Sequence, residues 1–138
     1  MTRRRQFGES NLRIWLFFAG VFGFTAVGFG AIGAHVFDGQ MSQENLIRFE
    51  TAVRYQMWHA LALLAVAWLA NCGDQRPHWC VGMAGWAFTF GILFFSGSLY
   101  AFSLTDERSA ATLAPVGGVS LMIGWLAVTA SAVVRRTD

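Results

Sequence analysis

Residues 14–34 read IWLFFAGVFGFTAVGFGAIGA, 21 consecutive residues without a single Asp, Glu, Lys or Arg. A spanning helix needs ~20 apolar residues to cross the ~30 Å hydrocarbon core of a bilayer. Inside hydrocarbon no water is available to the backbone, so each N–H and C=O must pair within its own segment, and the run must be helical. Three further runs lack charge: residues 55–73, 77–105 and 109–134, of 19, 29 and 26 residues. The last two exceed the minimum, so their ends form loops or tilt. The spans are therefore placed at about 14–36, 53–71, 79–104 and 112–134 of a single domain, 1–138. The expected fold is all-α: an integral membrane bundle of four transmembrane helices, the second extended by an amphipathic N-terminal part.

The composition agrees with this reading. Of 138 residues, 55% are hydrophobic and 13% charged, against roughly 25% charged in a soluble domain. A soluble chain of this size needs polar side chains to cover its surface. Their shortage argues against a soluble enzyme and against a nucleic-acid binder, and makes the lipid bilayer the first partner. All ten basic residues are Arg, and the net charge of +2 is too small to imply a polyanionic partner.

The Arg distribution orients the bundle. With four spans, Arg3, Arg4, Arg5, Arg13, Arg76, Arg135 and Arg136 share one side, and Arg48, Arg54 and Arg108 the other. The positive-inside rule then puts both termini in the cytoplasm. Trp15, Trp68 and Trp79 are expected near that cytoplasmic interface. Arg4-Arg5-Gln6-Phe7 resembles a twin-Arg export signal, but the apolar run behind it is longer than a signal h-region. An uncleaved first span is the simpler reading. Cys72, His78 and Cys80 lack a recognised zinc spacing, so no metal and no cofactor are expected.

Local chemistry marks the helix ends. Ser42 can cap the second helix with Glu44 just inside it, and Asn71 and Gly73 suit its C-terminus. Pro77 suits the first turn of the third helix. Thr112 as an N-cap would place Pro115 in the first turn of the fourth helix; a start at Ser109 would put the proline further in and kink it.

Membrane helices associate by close packing of small residues. Ala19, Gly23, Ala26, Gly30 and Gly33 give the first helix a small-residue face, with Phe18, Phe22 and Phe29 as a ridge beside it. Gly117, Ser120, Gly124, Ala127 and Ser131 do the same for the fourth helix, and Gly82, Gly85, Thr89 and Ser96 follow a related register in the third. No internal repeat supports an inverted-repeat transporter within one chain.

Residues 42–70 carry most of the polar chemistry. Leu46, Phe49, Val53 and Met57 make an apolar stripe, and Arg48, Tyr55 and His59 a polar one flanked by Asn45 and Gln56. Glu44–Arg48 and Glu50–Arg54 are favourable i, i+4 pairs. A single helix over this stretch would be ~43 Å long, so its first part stands out of the bilayer or lies in the interface. His35 ends the first helix on the same side, and the connection to the second helix is short. His35, Arg54, Tyr55, Gln56 and His59 are therefore expected to converge, with Ser96, Ser98 and Tyr100 extending the cluster. Polar groups at membrane depth are functional candidates; structural hydrogen bonding is the stronger reading, ahead of a proton, ligand or haem role. Ser hydroxyls in such helices most often bond the preceding turn. No adjacent nucleophile–base pair, H-E-x-x-H motif or phosphate loop occurs.

Four segments are recognisable together: Gly28-Phe29-Gly30-Ala31-Ile32-Gly33-Ala34-His35, Thr51 to Leu64 (TAVRYQMWHALALL), Phe95-Ser96-Gly97-Ser98-Leu99-Tyr100-Ala101, and Ala114-Pro115-Val116-Gly117-Gly118 with Gly124-Trp125. The chain resembles the YgdD-like family of small bacterial inner-membrane proteins, a domain of unknown function. The resemblance runs from about residue 14 to 134. It implies a four-helix inner-membrane protein and supplies no catalytic residues. Where family members often carry Gly after the Leu-Thr pair, this chain has Asp106. Three functional readings follow: a non-enzymatic protein acting by association, as a homo-oligomer or with a membrane partner protein; a small oligomeric channel or carrier; and a redox or haem protein with His ligands.

Overall fold

A computed structural model describes residues 2–37, 39–71 and 78–134, with the side chains of 13–37, 39–71 and 79–134. Gly73, Pro77, Cys72 and the His78 side chain, on which a helix end, a helix start and the metal question turned, lie outside the described set. The elements are α1 (Thr2–His35), α2 (Gln43–Asn71), α3 (His78–Gly91), a π-helical turn (Ile92–Ser96), α4 (Gly97–Thr105), a 3-10 segment (Arg108–Leu113) and α5 (Ala114–Val133). Gly91, Ser96 and Gly97 keep right-handed helical dihedrals, so α3, the π turn and α4 form one rod. The described residues thus make four helical rods and contain no strand.

Three stretches are long and apolar enough to cross a membrane: Arg13–His35, Trp79–Thr105 and Arg108–Val133. The second rod, α2, is less apolar because Asn45, Gln56 and His59 are carried on it, and all three are buried. It runs unbroken for 29 residues.

The helix ends follow from local chemistry. Ser42 Oγ accepts the Asn45 N–H at 3.3 Å, the expected cap of α2. At the end of α4, Asp106 adopts a left-handed conformation (φ 57°) and its N–H bonds Phe102 O at 2.8 Å. This is the position where the family resemblance led us to expect Gly, and Asp is one of the few other residues that tolerate it. Pro115 lies in the first turn of α5, where its missing N–H costs nothing. Thr112, however, is not the N-cap. The chain enters α5 through the tight 3-10 segment, and Leu113 takes the cap position with helical dihedrals (φ −86°, ψ −12°).

Packing places α2 and the α3–α4 rod in the middle. α1 lies along α2, and α5 lies along α3 and the π turn. The buried face of α1 is Trp15, Ala19, Phe22, Ala26 and Gly33. Gly33 meets the Phe49 ring, and Gly30 faces Val53 Cγ1 at ordinary contact distance. Gly23 departs from the expected face: nothing lies within 4 Å of where its Cβ would be, because Phe22 takes that place against the core. On α5 the buried set is Gly117, Leu121, Gly124, Ala127 and Ser131, and half-buried Ser120 donates to Ala87 O at 2.8 Å.

Close approach is what the glycines of the central rods provide. A Cβ at Gly117 would run into the backbone of Phe94 and Phe95, one at Gly124 into the Phe88 ring, and one at Gly91 into Leu121. Gly85 supports the Trp15 ring, whereas Gly82 faces open space. Trp15 is therefore a core residue, 1% exposed and edge-to-face with Trp86 at 5.3 Å. Trp68 and Trp79 are exposed. Outward faces are apolar, with Phe24 82% exposed on α1 and Met122 and Leu126 exposed on α5, as a lipid-facing surface requires.

Candidate functional site

The polar groups of α2 do not form the stripe that their linear spacing suggested. Its inner face is Asn45, Phe49, Ala52, Gln56, His59, Leu63 and Val66, spaced 4, 3, 4, 3, 4, 3. That spacing turns Gln56 into the bundle and leaves Arg54 exposed and Tyr55 half-buried.

Gln56, 4% exposed, is the hub. Its Nε2 donates to Phe22 O at 2.9 Å and to Thr25 Oγ1 at 2.7 Å, and its Oε1 accepts the Tyr100 hydroxyl at 2.9 Å. Thr25 passes its own proton to Val21 O at 2.8 Å. One amide thus joins α1, α2 and α4 with both amide protons used. The Tyr100 ring packs on Phe29 and Phe49 at 4.9 and 5.0 Å, which fixes its hydroxyl.

His59 makes a second contact set one turn away. Its Nδ1 lies 2.7 Å from Tyr55 O, and its Nε2 lies 3.2 Å from the Trp125 indole nitrogen. A carbonyl only accepts and an indole N–H only donates, so Nδ1 carries the proton and Nε2 accepts. The ring sits against Phe88 and Trp125. Both nitrogens are engaged, so a ligand would first have to displace Trp125. His59→Leu is expected to cost about 1–3 kcal/mol, because the Trp125 N–H loses its acceptor. Adding Trp125→Phe should recover part of that loss. Melting curves of the parent and the two variants in detergent check this; an unchanged His59→Leu curve would remove the histidine from the packing scheme.

His35 does not join. Gly33 lies opposite Phe49, Gly30 opposite Val53, and Phe22 and Thr25 opposite Gln56. In this antiparallel register His35 is ten residues beyond Thr25 toward the connecting loop, and His59 is three residues beyond Gln56 the other way. At 1.5 Å per residue the two are roughly 20 Å apart along the axis. His35 is exposed at the end of α1. The expected convergence fails on register: adjacency of two helices does not put their residues at one depth.

The serines divide. Ser98 Oγ donates to Phe95 O at 3.0 Å, the back-bond expected of a membrane serine. Ser96, 1% exposed and at the end of the π turn, has a hydroxyl without a partner among the described residues. At the loop end, Asn45 Nδ2 donates to Asp106 Oδ1 at 3.1 Å, and Arg48 donates to Asn45 Oδ1 and pairs with Glu44. The Arg48 guanidinium sits 4.3 Å from the Phe102 ring centroid. These contacts hold the amphipathic start of α2 against α4. The second expected pair, Glu50–Arg54, is not formed among the described residues. Thr25 and the Asn45–Asp106 bridge were not singled out from the sequence, and Trp125 was named only as part of a recognisable segment. Thr25 carries the one signal that was available, a hydroxyl in the middle of an apolar run. Among the described residues no group of three His, Cys, Asp or Glu is placed to hold a metal.

Residues 29–118 match the family described as protein of unknown function (DUF423). The chain belongs to this DUF423 family. A UPF0382 membrane protein of Staphylococcus aureus (SAB0533) is 44% identical over 101 residues, covering 73% of this chain and 80% of its own. The UPF0382 membrane protein YwdK of Bacillus subtilis is 36% identical over 122 residues, covering 88% of this chain and 98% of its own. The UPF0382 inner membrane protein YgdD of Escherichia coli K12 is 36% identical over 121 residues, covering 88% and 90%. No solved structure matches. The matched DUF423 segment runs from Phe29 to Gly118 and so contains Gln56, His59, Ser96 and Tyr100. Like these relatives, this DUF423 chain is a membrane protein, and its described residues are all-helical.

Proposed function

We propose that the protein is a multi-pass inner-membrane protein of four spans with both termini in the cytoplasm, and that it works by lateral association with a second copy of itself or a membrane partner, not by enzymatic chemistry. The observation that carries this reading is the outward side of α1. Gly20 and Gly28, both exposed, have no atom within 4 Å of where a Cβ would stand, while the opposite side of the same helix packs on α2, α3 and Tyr100 of α4. Small residues on a lipid-facing helix let a second backbone approach closely. The polar seam supports the same reading, because Gln56 and His59 are committed to holding helices together. A channel or His-ligand role has less support, since both His59 nitrogens are already engaged.

Two measurements test it. Native mass spectrometry of the protein released from nanodiscs should show an oligomer that Gly20→Leu with Gly28→Leu reduces to a monomer; a monomeric parent protein overturns the self-association reading. A reporter fused after Asp138 should be active if it works in the cytoplasm and silent if it needs the periplasm. The reverse outcome overturns the orientation that the Arg asymmetry supports.

A further inference from the structure

An open groove of about 270 Å³ lies between α1 and α2 at the end of the bundle opposite the chain termini. Its lining is Gly30, Gly33, Phe49, Val53, Glu50 and Arg54, with Ala34 at the edge. The floor is apolar and nearly without side chain on the α1 side. Both charges sit on α2, four residues apart, at the edge of the charge-free run. At this i, i+4 spacing they are placed to pair, and Glu44–Arg48 does so on the same helix, but Glu50 and Arg54 make no ion pair among the described residues. Both are exposed at the groove. Two exposed opposite charges beside an apolar floor, next to the charge-free run, suit a ligand that carries both signs and an apolar body.

We propose that this groove is a binding site for a phospholipid whose headgroup joins a phosphate to a primary ammonium, an aminoethyl phospholipid of the leaflet at this end of the bundle. The order of the charges fits that molecule. α2 enters the membrane from the loop end, so Arg54 lies about 6 Å deeper than Glu50 at 1.5 Å per residue. In the lipid the phosphate lies next to the glycerol, and the ammonium is carried beyond it by two carbons. Arg54 therefore meets the phosphate, which its guanidinium can hold through two N–H donors. Glu50 meets the ammonium, and the glycerol and upper acyl carbons lie on Gly30, Gly33, Phe49 and Val53. The volume is just below that of ordinary ligand pockets, ~300–1,000 Å³, which suits a headgroup and glycerol while the acyl chains continue into the bilayer. The site does not depend on the self-association or the orientation proposed above.

The test uses the full chain in nanodiscs with equal parts of phosphatidylethanolamine, phosphatidylcholine and phosphatidylglycerol, released in mild detergent and weighed by native mass spectrometry. The choline headgroup has no N–H for Glu50, and the glycerol headgroup has no positive charge. Retained ethanolamine lipid should exceed each of the others about fivefold, the scale of one charge contact at a membrane surface. Glu50→Gln should abolish the preference over choline lipid while phospholipid is still retained. Arg54→Gln should lose retained phospholipid of every headgroup. Equal retention of the three lipids by the parent protein overturns the proposal without reference to any variant, as does a preference that survives Glu50→Gln. A monomer that still selects ethanolamine lipid would refute the self-association reading and leave this site standing.

Discussion

Gly117→Ala should destabilise the detergent-solubilised protein by about 2 kcal/mol, within the range for an overfilled core. Alanine is the better helix former by ~1 kcal/mol, so an exposed helical glycine replaced by alanine gains stability on that scale or less. At Gly117 the sign reverses because the new methyl meets the backbone of Phe94 and Phe95. Backbone cannot swing aside as a side chain can, and this stretch is held in the π turn. Gly23→Ala is the control: it is on the half-exposed side of α1 with open space around it, and its melting temperature should match or exceed that of the parent. Gly124→Ala should fall between, since the obstacle there is the Phe88 ring. Thermal unfolding followed by Trp fluorescence reads all three. If Gly117→Ala melts with the parent, the α5 contact with the π turn is not as close as described.

Gln56→Leu should cost about 2 kcal/mol, the scale of an orphaned buried group together with lost interhelical hydrogen bonds in a membrane protein. The main casualty is the Tyr100 hydroxyl, which loses its acceptor; Thr25 keeps its bond to Val21 O. Tyr100→Phe alone should cost less, because it orphans only the Gln56 oxygen. The double variant should cost less than the two singles added, since it removes donor and acceptor together, with a coupling of about 0.5–3 kcal/mol. Strictly additive losses would show that the bond contributes nothing to stability. The cycle also separates structural from functional roles: a seam that only ties helices together is restored by apolar replacements that pack, whereas a proton or ligand site is not.

Much of the molecule was legible because a bilayer restricts what a chain can do. An uncharged run such as 14–34 has one outcome in hydrocarbon, and the cap at Ser42 and the first-turn place of Pro115 are local events that side-chain chemistry decides. The small-residue face of α5 was readable from Gly117, Gly124, Ala127 and Ser131 for a similar reason: a membrane helix has few other ways to bring its backbone near another. The same logic misplaced Gly23. Spacing reports which residues share a face, but a helix with small residues on several faces does not announce which one its neighbour takes.

The interior of α2 shows where the sequence stops. That Asn45, Gln56 and His59 are costly at membrane depth and need partners follows from composition alone. Which partners they find depends on the axial register of antiparallel rods, and register is set by long-range packing such as Phe49 on Gly33 and Phe88 on Gly124. An axial shift changes no local propensity, yet it decides whether Gln56 faces Thr25 or some other residue, and a shift of about four turns would separate His35 beside His59 from His35 roughly 20 Å away. The sequence by itself determined the solvent, the helical class, most helix ends and the chemical types that had to be satisfied. Only the tertiary structure decided which hydrogen bonds satisfy them and which charges are left at the groove, because those depend on distances between residues far apart along the chain.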